Sequence, residues 1–146
     1  MLIATTRFGH LEMVEVEDDA LLDMPKGLIG FEEHTRFAVL QGEDLSPFYV
    51  LQSLADPWLA FVAVDARLLR PGYRLELSRT DAEALRLGDA QALPLAIITL
   101  GDEPGAATAN LLAPVVVNPQ LRLARQVVQV ETPYKVAEPI AAAMVG

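Results

Sequence analysis

The sequence predicts a mainly β protein, a single domain over residues 1–146 folded as an antiparallel β-barrel-like sheet with one or two short helices. Three observations carry this reading. Apolar residues come in short runs between turn formers, spaced roughly 8–12 residues apart, which favours an antiparallel sandwich or barrel over βαβ units. Residues 73–79 alternate cleanly, with Tyr73, Leu75 and Leu77 on one face and Arg74 and Glu76 on the other. In residues 11–16 the alternation slips at Met13 and Val14. A phase change inside a strand predicts a bulge, which helps a sheet curve toward closure.

Taken in order, the candidate strands are residues 2–7, 11–16, 37–40, 48–51, 59–64, 73–79, 93–100, 115–117 and 121–130. Turn chemistry separates them at Pro25-Lys26-Gly27-Leu28-Ile29-Gly30, Asp56-Pro57, Pro71-Gly72 and Asp102-Glu103-Pro104-Gly105. One helix is signalled by Thr80-Asp81-Ala82-Glu83. This fits a capping box in which the Thr80 hydroxyl and the Glu83 carboxylate each satisfy a free backbone N–H. Ala82, Ala84, Leu85 and Leu87 continue it, and Gly88 is placed to end it in a left-handed turn. Residues 139–145 read as a second short helix or as a flexible apolar tail. No loop is long or low in complexity, so the pattern shows neither an interdomain linker nor an internal repeat.

A chain of 146 residues can bury roughly 68–70% of its unfolded surface around one core. It contains no cysteine, which removes disulfides, thiolate catalysis and Cys-based metal sites and is compatible with a reducing cytoplasm. The first residues lack a basic stretch followed by an apolar one, so no signal peptide is expected. Nowhere do about 18 apolar residues run together, so no membrane span is expected either.

Motifs for chemistry are sparse. His10 and His34 stand far apart, in neither an HxH nor an HExxH spacing, and read as solvated or hydrogen-bonded surface histidines rather than metal ligands. Ser46, Ser53 and Ser78 lie outside any GxSxG elbow. The 25–30 segment has neither of the glycine spacings that cradle phosphates, so no cofactor is expected. Arg67, Arg70, Arg74 and Arg79 are interleaved with acids and do not form the basic stripe that direct nucleic-acid binding needs. The segment around Arg70 reads as a turn with solvated guanidinium groups. Carboxylates are plentiful. A small β-barrel enzyme using a buried pair of them is therefore the alternative to a binding module, and it requires one carboxyl in an apolar niche beside another kept ionised.

Charge is distributed unevenly. Residues 1–66 hold 12 of the 20 acids against three bases, and residues 67–146 balance at 8 and 8, so the N-terminal part carries the whole net charge of −9. The densest cluster is Glu12, Glu15, Glu17, Asp18, Asp19 and Asp23, with no Lys or Arg between Arg7 and Lys26. Such a field repels phosphate and attracts basic partners, whereas a merely solvated face would keep the domain soluble.

Three segments carry a resemblance. The first is Phe8-Gly9 followed by Pro25-Lys26-Gly27-Leu28-Ile29-Gly30-Phe31-Glu32, a P-x-G-L-x-G-F-E pattern. The second is Leu51-Gln52-Ser53 with Leu59-Ala60-Phe61-Val62. The third is Thr108-Ala109-Asn110-Leu111-Leu112-Ala113-Pro114-Val115-Val116-Val117-Asn118, with Gln126-Val127-Val128 and Tyr134 in the expected order. Together they resemble the FliW family of flagellar assembly factors over nearly the whole chain. Asp65-Ala66 departs from the family's usual Asp-Pro, which loosens a turn.

The resemblance implies a cytoplasmic, non-enzymatic, β-barrel-like protein with two protein partners. One is flagellin, held as an assembly chaperone. The other is the RNA-binding translational regulator CsrA, antagonised allosterically so that repression of flagellin translation is relieved. No direct contact with nucleic acid or membrane is implied. The candidate partner-contact residues are Glu15, Glu17, Asp18, Asp19, Phe31, Asn110 and Asn118. Three of them also have a structural reading: Phe31 as core filling, and Asn110 and Asn118 as caps for backbone groups at strand ends.

Overall fold

In the computed structural model, which describes residues 1–103 and 105–140, the short apolar runs become strands. They are β1 (Leu2–Thr5), β2 (Glu12–Glu15), β3 (Leu21–Asp23), β4 (Arg36–Leu40), β5 (Tyr49–Ser53), β6 (Ala60–Asp65), β7 (Leu93–Thr99), β8 (Thr108–Ala109), β9 (Val115–Asn118), β10 (Leu123–Gln126) and β11 (Glu138–Pro139). Two short helices, α1 (Ala66–Leu69) and α2 (Arg79–Ala84), interrupt the series between β6 and β7.

Seven strands close a barrel in the order β7-β6-β5-β4-β3-β10-β9, with β9 returning to β7. The expected barrel is present, but its sheet is mixed: β3 and β10 pair in parallel at Asp23 and Leu123. An odd ring cannot alternate direction at every step, so one parallel seam is unavoidable. Strand alternation divides the side chains. Leu22, Met24, Phe37, Leu51, Ala63, Leu95, Val115, Val117 and Ala124 form the interior cluster, joined by the partly buried Val39, Tyr49, Phe61, Leu93 and Ile97.

The outer wall is covered in three places. Ala38, Leu40 and Val50 lie beneath the β1–β2 ribbon, which contributes Ile3, Val14 and Val16. Val64, Ala96 and Ile98 pack with α1, Tyr73 and the segment around Leu111 and Ile140. Val116 packs with Leu85 and Leu87 at the end of α2.

Several local expectations change. Residues 11–16 contain no bulge: β2 pairs with β1 in unbroken register, Thr5 opposite Glu12 through Leu2 opposite Glu15. The apparent phase slip arises because Leu11 and Met13 are apolar residues on the exposed side of an ordinary strand. Residues 73–79 do alternate, but they join no ladder. The buried Gln129 instead accepts from the Glu76 N–H at 2.8 Å and donates to the Glu76 carbonyl at 3.1 Å, as a neighbouring strand would.

The α2 cap is Ser78, two residues before the expected Thr80. Its hydroxyl accepts from the Asp81 N–H at 3.0 Å, and it is Arg86 (φ 53°) that takes the left-handed position after the last turn. Asp65 caps α1 by accepting from the Arg67 N–H, and Ala66 is the first helical residue, a position where proline also fits. The 65–66 pair thus starts a helix and does not loosen a turn. Arg122, in the left-handed region at φ 57°, delays the start of the run expected over 121–130; β10 spans Leu123–Gln126, and residues 127–130 join no strand. Of the expected C-terminal helix, Pro139 belongs to β11, and residues 141–146 lie outside the described residues.

Candidate protein-interaction surface

The acidic cluster maps to the β1–β2 ribbon and the turn after it. Glu15 points away from the barrel and accepts from the Met1 amino group at 2.6 Å. That hydrogen bond raises the ammonium pKa, and the charges of Glu15, Asp18 and Glu17 add to the effect. Glu17, Asp18 and Asp19 are exposed at a single 3-10 turn (Asp18–Ala20). Among the described residues none of these three has a cation within ion-pair distance, whereas Glu12 pairs with Arg7 (3.0 Å) and Asp23 with Arg36 (3.3 Å). Glu15, Glu17 and Asp19 line one shallow depression over Val39 and Leu40.

Phe31 is not core filling. It is 39% exposed and stands edge-on to Phe61 with ring centroids 5.1 Å apart. Leu28 is the residue from this turn that enters the barrel, while the Ile29 N–H donates to Gln126 Oε1 at 2.8 Å and fixes the turn against β10. The two glycines there differ. A Cβ on Gly27 would lie 2.6 Å from the Phe31 carbonyl oxygen, whereas Gly30 faces open space at φ +89°.

Both asparagines hold backbone. Asn118 is buried. Its Nδ2 donates to the carbonyls of Leu85 (2.9 Å) and Arg86 (3.3 Å), and its Oδ1 accepts from the N–H groups of Gln120 and Leu121. Asn110 is half-buried, and its Oδ1 accepts from the Ala113 N–H at 2.9 Å. The fold therefore brings together Glu15, Glu17, Asp18 and Asp19, and it places Phe31, Asn110 and Asn118 on other elements.

Sequence reasoning missed the apolar partners of the acids. Leu2, Leu11, Met13 and Trp58 are all exposed on or beside the ribbon. A lone tryptophan inside a turn, Asp56-Pro57-Trp58, was the available signal.

The carboxylate-enzyme alternative loses its premise, because among the described residues no Asp or Glu is buried. His10 is exposed. His34 bonds through Nδ1 to Ser53 Oγ at 2.7 Å, and that oxygen also accepts from the Ala55 N–H. No three metal-ligating side chains converge among the described residues.

This geometry, an acidic and apolar outer face on a closed barrel, coincides with a clear match to known proteins. The family model described as FliW protein matches residues 2–140. The chain belongs to the FliW family. It is 42% identical over 129 residues to the flagellar assembly factor FliW of Geotalea uraniireducens (strain Rf4), covering 88% of this chain and 77% of the relative. To the flagellar assembly factor FliW of Geobacter sulfurreducens it is 35% identical over 140 residues, 95% of this chain and 86% of the relative. A crystal structure of the flagellar assembly factor FliW superposes with a TM-score of 0.84 at 33% identity, over 96% of each chain. FliW proteins are flagellar assembly factors and not enzymes.

Proposed function

We propose that this FliW-family chain acts in the cytoplasm as a chaperone for flagellin and as a protein antagonist of the translational regulator CsrA. When flagellin leaves, the freed chain captures CsrA away from its RNA-contacting surface and relieves repression of flagellin translation. The observation that carries the reading is the exposed group Glu17, Asp18 and Asp19, which has no cation partner among the described residues. A regulator that grips RNA needs positive surface, and an acidic face complements it, giving encounter rate and discrimination.

The arginines support the absence of direct RNA contact. Arg67 is paired with Asp65 (2.7 Å), Arg79 with Glu83 (3.1 Å) and Arg125 with Asp81 (3.4 Å), leaving no basic stripe of free guanidinium groups along these positions. The test is co-purification of the tagged chain with flagellin and CsrA from its own organism in low salt. Recovery of both is the expected result. Recovery of neither would sink the reading.

A further inference from the structure

The β1–β2 ribbon buries one face on the barrel and leaves the other bare. Register places Leu2 beside Glu15 and Ala4 beside Met13 on the outer side, and Leu11 continues that side. Leu2, Leu11 and Met13 are 61%, 58% and 60% exposed. Along β1 the face meets the loop after β5: Met1, Leu2 and Ala4 line a shallow groove with Leu54 and Pro57, and the Thr6 hydroxyl donates to the Pro57 carbonyl at 2.7 Å. Next to Pro57 stands Trp58, the sole tryptophan of the chain, 69% exposed.

The loop that presents Trp58 is fixed from within. Gln52 Nε2 donates to the carbonyls of Ser53, Asp56 and Leu59, and Asp56 Oδ1 accepts from the Trp58 N–H at 2.9 Å. A large exposed aromatic side chain on a preorganised loop, one residue on from the Pro57 that lines the groove, has the make-up of an interface anchor, since little backbone ordering remains to be done on binding. The neighbouring charge selects the occupant. Glu15, Glu17, Asp18 and Asp19 flank this face, and the two nearby cations are already engaged: the Met1 ammonium by Glu15, and Arg7 by Glu12 with its guanidinium 4.6 Å over the Phe8 ring.

We propose that the outer face of β1–β2, with Trp58 as its anchor, is the docking surface for a segment of the CsrA-type regulator that carries an apolar stripe flanked by Lys and Arg. This rests on the function proposed above and adds where and through which residues contact is made. The apolar stripe covers Leu2, Leu11, Met13 and Trp58, and the basic flank meets Glu15, Glu17, Asp18 and Asp19.

Because Trp58 is the only tryptophan, its emission reports on this face directly. Purified CsrA and, separately, purified flagellin are titrated into the full-length chain, with calorimetry in parallel. CsrA is expected to shift the Trp58 emission to the blue with the calorimetric midpoint. Trp58→Ala and Met13→Glu are each expected to weaken CsrA binding about ten-fold or more while leaving the urea unfolding midpoint in place, both side chains being exposed. Calorimetric binding of CsrA with unshifted emission and full affinity in Trp58→Ala would overturn the assignment and leave the proposed function standing. A blue shift produced by flagellin alone would also overturn it. Calorimetric silence toward both proteins would remove the proposed function and this surface together.

Discussion

Thr5 and Gln52 meet in a buried hydrogen bond of 2.6 Å, the Thr5 hydroxyl donating to Gln52 Oε1. The bond ties the ribbon to the barrel wall, and the same side chain uses its Nε2 to shape the loop of Trp58. Gln52 is thus the joint between the two parts of the candidate surface. Gln52→Leu should destabilise the fold by about 2–4 kcal/mol, because a connected buried network loses its centre. Gln52→Glu should not rescue it, since a carboxylate cannot donate to three carbonyls. Urea unfolding measures both, and a loss below ~1 kcal/mol for the leucine variant would refute the network's importance.

Asn118 joins the end of β9 to the last turn of α2 through its bonds to the Leu85 and Arg86 carbonyls. Asn118→Ala should cost about 2 kcal/mol of stability by stripping buried backbone groups of partners. Affinity for CsrA or flagellin per folded molecule should stay unchanged. A binding defect without a stability defect would assign Asn118 to an interface instead.

Gly27 and Gly30 separate conformational strain from collision. Gly27→Ala combines φ +62° with a Cβ 2.6 Å from a backbone oxygen, so a loss of at least ~3 kcal/mol is expected. Gly30→Ala adds only the left-handed penalty in open space, about 1 kcal/mol. Equal losses for the two would contradict the close approach of the 31–32 backbone to Gly27.

The barrel was legible in the continuous apolar runs at 37–40, 59–64 and 93–100, whose strands are covered on both faces, by the barrel interior on one side and by the outer clusters on the other. It was illegible where side chains replace ladders. Residues 73–78 alternate like a strand, yet Glu76 bonds to the Gln129 amide and the Arg74 N–H donates to the Tyr134 hydroxyl, partners that no local pattern reveals. β3 spans three residues and β8 and β11 two each, too short for periodicity to register. The acidic half of the surface was visible in charge spacing alone. Of its apolar half, the Leu11 and Met13 part reads as a bulge, because a strand with hydrophobic residues on both faces and a strand with a phase slip look alike in one dimension.

The acids should act mainly on association. Reversing Glu15, Glu17, Asp18 and Asp19 to Lys together should slow CsrA binding about ten-fold or more at low salt, with a smaller effect in high salt as the field is screened. Stopped-flow mixing across salt concentrations measures this. An unchanged low-salt rate would reduce the cluster to a solvated face.

Tyr73 should make stability fall in alkali. Its ring stacks on Tyr134 with centroids 4.3 Å apart, and its hydroxyl donates to the Leu111 carbonyl at 2.7 Å. Burial, with a smaller contribution from Tyr134, pushes the Tyr73 phenol from its ordinary 10 up to about 12. The fold therefore favours the neutral phenol, while the unfolded chain ionises first. The stability this supplies is complete below pH 10 and is lost as pH rises through about 12. Tyr73→Phe should cost about 1 kcal/mol at neutral pH by leaving the Leu111 carbonyl without its donor. Between pH 10 and 12 the gap between the variant and the parent should narrow, because only the parent carries the titrating group. Urea midpoints measured in steps across that window decide the matter. A gap that stays constant would mean that Tyr73 ionises as freely in the folded chain as in the unfolded one.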